Sequence, residues 1–346
     1  MLFDQVRRKR LSTYRRVFFV VTAFFFSCAG SSRSAHLTHV RGFAHLMPYH
    51  IQIGRRLSRL ETKKVQQVVA RVFAEIDARY NHWNPHSELS QINAMEAGAK
   101  RVISGELERV LALARTFFLL SKGRFDPTLG AVIAHWKSHL MAGKRPDGQT
   151  ARATASGWEN IEVVDQTVTK KRGELAFDLD GMIKGFAIDA LIEALRQLGY
   201  RHLYVNWAGD LRVVGSHPSR RPWRVQLPSL SQRGDERPTL SLRDSALATS
   251  GDYLQWWKVD GTTYSHIVDP HTKEALQRKR VSLAAVTVQA PTCALADALA
   301  TAAMTFDSID ELWLWVDQLK RAHPHVKVWA LAYGKDKKII EVNSKI

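Results

Sequence analysis

An aspartate and a threonine four residues apart form the pair with the clearest chemical potential. Asp297 and Thr301 lie in the alanine-rich segment Ala296–Ala302. On a helix, residues at this spacing share one face, and the small neighbours would let a ligand approach. Two such oxygens suit a hard divalent cation, magnesium in particular, provided that a third donor comes from elsewhere. Taken alone, the pair is better explained by an aspartate near a helix N-terminus and a threonine bonded to its own backbone.

The segment Asp178–Gly185 contains glycines and leads into a helix predicted to start near Phe186. A turn of this kind exposes backbone N–H groups at the positive end of the helix dipole, and Lys184 adds a mobile cation beside them. A phosphate group could bind there. The spacing fits neither a Walker A loop nor the dinucleotide GxGxxG motif, and a solvated lysine in an ordinary loop remains the alternative.

His266 lies in a run that breaks at Asp269-Pro270. Its ordinary pKa is near neutrality, so it is placed to accept a proton in a cleft. The same histidine could serve a structural role only. The segment just before it, Ala248–Tyr253, brings a hydroxyl, a glycine and a carboxylate together.

Two polar turns are the remaining segments whose residues could bind a ligand. Ser87–Asn93 follows an Asn-His-Trp triplet, and Gly123–Gly130 carries a carboxylate and a hydroxyl at its apex. Helix capping by Ser87 or Ser90 explains the first, and ordinary Asp, Pro and Gly turn chemistry explains the second. Taken singly, neither turn requires a ligand.

Seven segments in this order resemble the ApbE family of FAD:protein FMN transferases. The family patterns run Ser-x-Leu-Ser-x-x-Asn, Phe-Asp-Pro-Thr, Asp-Leu-(Gly)-(Ala/Gly)-x-x-Lys-Gly, Asn-x-Gly-Gly-Asp, Ala-Thr-Ser-Gly-Asp-Tyr, Ser-His-Ile-x-Asp-Pro-x-Thr and Ala-Asp-Ala-x-x-Thr. In this chain they are Ser87–Asn93, Phe125–Thr128, Asp178–Gly185, Asn206–Asp210, Ala248–Tyr253, Ser265–Thr272 and Ala296–Thr301. One match would be weak, whereas seven collinear matches are a specific signature.

The resemblance implies a T-fold-like α/β (α+β) domain that binds FAD as substrate together with Mg²⁺. The FMN half would be joined as a phosphoester to a threonine hydroxyl of a partner flavoprotein, and AMP would leave. The implied metal ligands are Asp297, Thr301 and the backbone carbonyl of Gly181, and His266 with Asp297 would be catalytic. The residues implied to contact FAD or shape its pocket are His45, Asn81, His82, Trp83, Asn93, Asp126, Thr128, Lys184, Ser250, Gly251 and Asp252.

Four positions depart from the family pattern. His45 replaces a flavin-contacting methionine, Ala208 replaces the first glycine of a Gly-Gly pair, and Lys273 replaces a glycine after the His-x-x-Asp-Pro-x-Thr motif. Asp180 adds a carboxylate where a small residue is usual, so it could strengthen or distort cation binding. None of these departures removes an implied catalytic group.

The elements that must position these residues alternate along the chain. Apolar residues at helical spacing predict helices over 60–80, from Leu107 to Phe118 and from Ile188 to Leu198, and Ser308 with Glu311 predicts a capped helix through His323. The predicted strands are Leu203–Trp207, Leu211–Val214, Trp223–Leu227, Thr239–Leu242, Leu283–Val288 and Val326–Tyr333. A long hairpin or insertion is expected over Ser216–Pro238. One domain with a mixed or antiparallel sheet is therefore expected.

Composition narrows the class of protein further. The 346 residues are 45% hydrophobic and 24% charged with two cysteines, which excludes a disordered chain, a collagen and a disulfide-rich scaffold. The net charge of +17 suits polyanionic partners, but no recognition motif accompanies it. Nucleic-acid binding is therefore not expected.

The first 28 residues have the layout of an export signal, with a basic start and the apolar run Val17–Ser27. Ser27-Cys28-Ala29 resembles a bacterial lipoprotein cleavage box, in which Cys28 would carry lipid; ordinary cleavage, an uncleaved anchor and a buried N-terminal strand are alternatives. A polar linker is expected over 29–40 and the catalytic domain over 41–346. From this organisation we expect the protein in the bacterial cell envelope, at the inner membrane facing the periplasm, either lipid-anchored or secreted.

The family implies an acceptor subunit of a membrane redox complex, of the sodium-translocating NADH:quinone reductase or Rnf type. Two other functions stay open at this point. Water instead of threonine as nucleophile would give a Mg²⁺-dependent FAD pyrophosphatase that releases FMN and AMP. A non-catalytic flavin-binding lipoprotein is the alternative from a different class.

Overall fold

The computed structural model describes residues 37–227, 239–253, 255–279 and 281–334, and the backbone of 339–342. Cys28, the predicted signal and residues 29–36 of the predicted linker lie outside this part of the chain. The helices are α1 (Arg59–Tyr80), α2 (Glu88–Asn93), α3 (Gly105–Leu120), α4 (Gly130–Met141), α5 (Gly148–Ala153), α6 (Asp180–Gln197), α7 (Cys293–Ala303) and α8 (Ile309–Ala322). The strands are β1 (Thr38–Ala44), β2 (Met47–Ile53), β3 (Lys100–Val102), β4 (Ile161–Val164), β5 (Thr167–Lys170), β6 (Leu203–Trp207), β7 (Asp210–Val214), β8 (Trp223–Gln226), β9 (Thr239–Leu242), β10 (Ser245–Gly251), β11 (Trp256–Val259), β12 (Thr262–Val268), β13 (Ala275–Gln277), β14 (Ser282–Ala290), β15 (Lys327–Tyr333) and β16 (Ile339–Val342).

The largest sheet has eight strands in the order β1-β2-β6-β7-β10-β14-β15-β16. Each neighbouring pair runs antiparallel. The predicted α/β class and the antiparallel form of the sheet are therefore confirmed. The predicted long hairpin is present as the β8–β9 pair, and its tip, 228–238, lies outside the described residues.

Helices α6 and α7 pack against each other and against the middle of this sheet. Nine of the eleven residues of α7 are buried, because its alanines leave room for the neighbouring backbone. A Cβ at Gly185 on α6 would lie 2.2 Å from the carbonyl oxygen of Cys293 at the start of α7. Glycine is thus required for the close approach of the two helices that carry the expected site.

A smaller sheet, β11-β12-β13, carries His266 on its middle strand. Strand β12 packs against α4, where Trp136 and Tyr264 belong to a second apolar core. The Trp136 ring nitrogen donates to the carbonyl oxygen of Lys273 at 2.8 Å, which ties the helix to the turn after β12. Helix α4 therefore supports both the strand that carries His266 and the turn that follows it.

Two predicted boundaries need correction. Strand β1 begins at Thr38, inside the segment predicted as a linker, because Val40 is buried in the main core and Thr38 Oγ1 donates to the Arg55 carbonyl at 2.9 Å. Helix α6 begins at Asp180 instead of near Phe186. The Asp178 carboxylate accepts from the Asp180 N–H at 2.8 Å, so one N–H group of the first turn has a partner.

Among the described residues, no helix has both the length and the apolar character needed to cross a membrane.

Candidate active site

The predicted metal ligands meet where α6 and α7 come together. The Thr301 hydroxyl lies 3.4 Å from the Gly181 carbonyl oxygen and 3.1 Å from the Ser250 hydroxyl. Asp297 is one helical turn earlier on α7 and only 2% exposed, and its Oδ2 accepts from the Gly185 N–H at 3.1 Å. The structure therefore gathers a carboxylate and a hydroxyl from α7 and a backbone carbonyl from α6.

This donor set fits magnesium, because every group that it offers is an oxygen. Gly181 packs closely in this arrangement, since a Cβ there would lie 3.1 Å from the Thr301 side chain and 3.2 Å from the ring of Phe125. Ser250 supplies a further hydroxyl beside Thr301. The residues present could therefore hold the cation that the family implies.

Lys184 lies beside this donor set and is paired with two buried carboxylates. Its ammonium contacts Asp210 Oδ2 and lies 4.0 Å from Asp297 Oδ1. Burial would lower the pKa of Lys184, but the charges of Asp210 and Asp297 outweigh it and raise that pKa. Burial raises the pKa of Asp297; Lys184 opposes this shift and Asp210 adds to it. A bound cation would therefore favour the ionised carboxylate.

Asp210 is a site residue that the sequence reasoning did not select. It is 1% exposed, begins β7, and accepts from the Thr249 N–H at 3.0 Å as well as from Lys184. It closes the segment Asn206–Asp210 that supported the family resemblance, so the signal was present in the motif. What the sequence could not show was the pairing with Lys184, 26 residues away.

His266 has one ring nitrogen engaged and one left to accept a proton. Its Nδ1 lies 3.1 Å from the Gln255 carbonyl oxygen, which can only accept, so Nδ1 carries the hydrogen and Nε2 is the basic atom. Burial lowers the pKa of His266 to about 4, and the charges of Lys137 and Lys184 add to the shift. The imidazole is therefore neutral at physiological pH.

His82 bridges two carboxylates at the start of α6. Its Nδ1 lies 3.5 Å from Asp180 Oδ1 and its Nε2 lies 4.0 Å from Asp178 Oδ2. These three side chains could also hold a metal ion, because one ligand atom from each lies within 4.8 Å of the others. The all-oxygen set around Asp297 suits magnesium better than this mixed nitrogen and oxygen set.

Trp83 presents an aromatic face next to His82. It is 60% exposed, its ring centre lies 4.7 Å from that of His82, and the Lys137 ammonium lies 5.6 Å from its ring centre. Asn81 ends α1 and orients this pair, because its Oδ1 accepts from the Trp83 N–H at 3.0 Å. An exposed ring in this position is available to stack on a flat ligand.

Asn93 and Lys170 fix the loop that leads into α6. The Asn93 amide donates to the Phe177 carbonyl at 2.9 Å and accepts from the Phe177 N–H at 2.7 Å. The fully buried Lys170 donates to the carbonyl oxygens of Asn93 and Gly173, each at 2.9 Å. Asn93 thus shapes the loop before Asp178, and sequence reasoning missed Lys170 because its partners are carbonyls.

Asp126 and Thr128 are satisfied mainly by each other and by the backbone. Asp126 Oδ1 accepts from the Thr128 hydroxyl at 2.6 Å and from its N–H at 2.9 Å, and the Thr128 hydroxyl accepts from the Gly157 N–H at 2.6 Å. Thr128 has no exposed surface, so it supports the turn and does not reach a nucleotide directly. Asp126 lines an open depression of about 360 Å³ with His271, and burial raises the pKa of its carboxyl group.

Three further residues implied to contact FAD, Ser250, Gly251 and Asp252, lie on or next to β10. Ser250 faces Thr301 directly. The neighbouring Gly251 needs its lack of a side chain, because a Cβ would lie 2.9 Å from the Ala284 carbonyl oxygen. The Asp252 carboxylate is occupied by Arg278 at 2.9 Å and by the Tyr333 hydroxyl at 2.8 Å. Asp252, just after β10, is therefore linked to β15 across the intervening strand β14.

His45 occupies the tight turn between β1 and β2. Its φ is 48°, its Nδ1 lies 3.6 Å from Asp77 Oδ1, and its ring lies against Trp207 with centres 5.9 Å apart. Two other departures from the family pattern, Ala208 at φ 52° and Lys273 at φ 56°, also adopt left-handed backbone. Both stand where the family has glycine, which suits that conformation best.

Comparison with known proteins matches this architecture. The model of the ApbE family matches residues 47–323. The FAD:protein FMN transferase of Chlamydia pneumoniae is 36% identical over 305 residues, covering 87% of this chain and 94% of its own length. The corresponding Vibrio cholerae protein is 29% identical over 297 residues, covering 84% of this chain and 87% of its own length.

Solved structures show the same fold. The flavin transferase ApbE from Vibrio cholerae superposes with a TM-score of 0.75 at 26% identity, covering 90% of this chain and 98% of its own. The apo flavinyl transferase ApbE of Pseudomonas stutzeri gives 0.76 at 21% identity, covering 91% and 97% respectively. The family match over most of the chain, together with these relatives, establishes that the chain belongs to the ApbE family.

Proposed function

We propose that this protein transfers the FMN half of FAD to a threonine hydroxyl of a partner protein, with Mg²⁺ as cofactor and AMP as the second product. The enzyme class, FAD:protein FMN transferase, is that of the curated relatives, which are up to 36% identical over most of the chain. The metal, the nucleophile and the leaving group are the proposed part.

The observation that carries the proposal is the meeting of Gly181, Asp297 and Thr301 beside Lys184. Magnesium held there would neutralise the charge that develops on the pyrophosphate oxygens, which is the main task in phosphoryl transfer. Lys184 lies next to the same position and would contact the phosphates as a point charge. These residues therefore favour chemistry at the pyrophosphate and not at the flavin ring.

In the proposed reaction AMP is the leaving group, and His266 takes the proton of the attacking hydroxyl. The threonine oxygen attacks the phosphorus of the FMN half, forming a new P–O bond, while the bond to the bridging oxygen breaks and AMP leaves with that oxygen. His266 Nε2 accepts the proton of the threonine hydroxyl, since Nδ1 is held by the Gln255 carbonyl. The low pKa of His266 keeps that nitrogen unprotonated when the acceptor binds.

We also propose the location and the class of partner that the sequence predicts. Lipid on Cys28 would hold the protein at the inner membrane facing the periplasm, where a flavinylated subunit of the sodium-translocating NADH:quinone reductase or Rnf type would be the acceptor. A Cys28→Ser variant that leaves the membrane fraction would support this location. Retention of that variant in the membrane fraction would contradict lipid anchoring.

To test the function, the protein is incubated with FAD, MgCl₂ and an acceptor subunit of the sodium-translocating NADH:quinone reductase or Rnf type. Intact-mass spectrometry should show one FMN phosphoryl unit added to the acceptor, tandem spectra should place it on threonine, and one AMP should appear for each FMN bound. Replacing the modified threonine by alanine is the matched control. Free FMN with AMP and an unmodified acceptor would instead identify a pyrophosphatase.

A further inference from the structure

Lys184 is shared unequally by two buried carboxylates. Its ammonium is in direct contact with Asp210 but 4.0 Å from Asp297 Oδ1, which is beyond hydrogen-bonding distance. The other oxygen of Asp297, Oδ2, is taken by the Gly185 N–H. Oδ1 is thus the oxygen of Asp297 that remains for a cation, and Lys184 is the charged side chain nearest to it among the described ion pairs.

An ammonium and a metal ion would compete for this oxygen. The Lys184 side chain is only 27% exposed, and a partly desolvated ammonium favours a carboxylate partner. The lysine side chain has four rotatable bonds, so a shift of its end by about 1 Å would convert the 4.0 Å separation into a direct contact. Without another partner, Lys184 would therefore pair with Asp297 and obstruct the cation.

Asp210 is fixed in a position where it pairs with Lys184 away from Asp297. It is almost fully buried, and its Oδ1 is fixed by the Thr249 N–H of β10 at 3.0 Å, which directs Oδ2 to Lys184. Its backbone starts β7 directly after a two-residue turn and pairs with Trp207 of β6. Its position is therefore set by the central sheet and not by the lysine.

We propose that Asp210 is a positioning residue that keeps Lys184 away from Asp297 and so holds the cation site open. Asp210 itself does not bind the metal in this proposal. The inference rests on the proposed function, since it concerns the same cation site, but it adds a requirement that the donor set alone does not contain. It also explains why a lysine can lie beside a metal site without occupying it.

The test measures Mn²⁺ affinity without FAD, by the loss of the free Mn²⁺ signal in electron paramagnetic resonance. Mn²⁺ accepts the same oxygen ligands as Mg²⁺. Asp210→Asn should weaken Mn²⁺ binding at least about tenfold, because Lys184 then pairs with Asp297. In the Lys184→Met background the same Asp210→Asn change should weaken binding less than about threefold, because the competitor is gone.

The double-mutant comparison shows whether Asp210 acts by positioning Lys184 or only by attracting the cation with its own charge. If Asp210 only attracts the cation through space, Asp210→Asn will weaken Mn²⁺ binding by the same factor with or without Lys184, and the proposal is overturned. Asparagine keeps the oxygen that accepts from Thr249, and thermal unfolding of each variant checks the fold. Asp244→Asn, which changes an exposed turn carboxylate that accepts from the Gly215 N–H, is the charge-matched control and should leave the affinity unchanged.

The outcomes also distinguish this inference from the proposed function. If the unmodified protein does not bind Mn²⁺, or if Asp297→Asn binds it normally, the cation site itself is wrong. If the unmodified protein binds Mn²⁺ through Asp297 and the two substitutions are additive, only the role of Asp210 is rejected.

Discussion

The Gly185 backbone N–H donates a 3.1 Å hydrogen bond to Asp297 Oδ2, joining helix α6 to helix α7 at the centre of the site. Gly185 can do this because it has no side chain to keep the helices apart. The bond fixes the carboxylate's orientation and directs Oδ1 towards Lys184. One packing contact between two helices thus determines which oxygen is left for a ligand.

Removing the Thr301 hydroxyl should impair cation binding without disturbing the fold. Thr301→Val keeps the shape of the side chain, and we expect the Mg²⁺ concentration for half-maximal transfer to rise at least about tenfold. Thr301→Ser, which keeps the oxygen, should stay within about threefold of the unmodified protein. Equal Mg²⁺ dependence in the two variants would show that this hydroxyl is not a ligand.

Replacing His266 should slow the chemical step and spare FAD binding. His266→Gln removes the base, so kcat for FMN transfer should fall about 10²–10⁴-fold while the Kd for FAD changes little. His139→Gln, at a half-buried position of α4 where Nδ1 lies 2.9 Å from the His135 carbonyl oxygen, is the control and should leave kcat unchanged. A kcat for His266→Gln close to that of the control would exclude His266 as the base.

The pH dependence of kcat should reflect the burial of His266. Its pKa of about 4 lies below the ordinary 6.5, so the imidazole stays neutral and basic until the pH falls through about 4. At saturating Mg²⁺ and FAD, kcat should therefore show no loss attributable to this histidine between pH 8 and 5. An acid limb that has a midpoint of 6 to 7 and disappears in His266→Gln would contradict the burial effect.

Lys170 should matter for stability and for the shape of the loop before α6. Lys170→Met leaves the Asn93 and Gly173 carbonyls without their donor, so the free energy of unfolding should fall by about 1–3 kcal/mol, and FAD affinity should fall with it. Lys171→Met, at the exposed neighbouring position, should change stability by less than about 0.5 kcal/mol. Denaturant unfolding of the two variants makes the comparison, and equal stability would show that the carbonyl contacts contribute little.

The parts of the site that follow local rules could be predicted from the sequence. The spacing of Asp297 and Thr301 is a property of one helix, and the structure places both on α7. The start of α6 at Asp180 could not be predicted from the same kind of pattern, because apolar spacing does not reveal the close packing of Gly185 against Cys293 of α7. The spacing of Asp297 and Thr301 follows from the helical period alone, whereas the packing of α6 on α7 is a tertiary contact.

Long-range partners account for most of what the sequence did not reveal. Asp210 meets Lys184 only because the central sheet brings β7 beside α6, and Lys170 meets Asn93 across 77 residues. Thr128 looks like an available hydroxyl in its turn, yet Gly157, 29 residues later, takes it as an acceptor. Residue type alone gives no information on these pairings.

The most direct test of the account is the rate of FMN incorporation into the acceptor subunit, followed by intact-mass spectrometry with and without Mg²⁺ for the unmodified protein and Asp297→Asn. The account predicts that incorporation requires Mg²⁺ in the unmodified protein and falls at least about 10³-fold in Asp297→Asn, with the fold retained. Incorporation that persists in excess EDTA, or that is undiminished in Asp297→Asn, would contradict it.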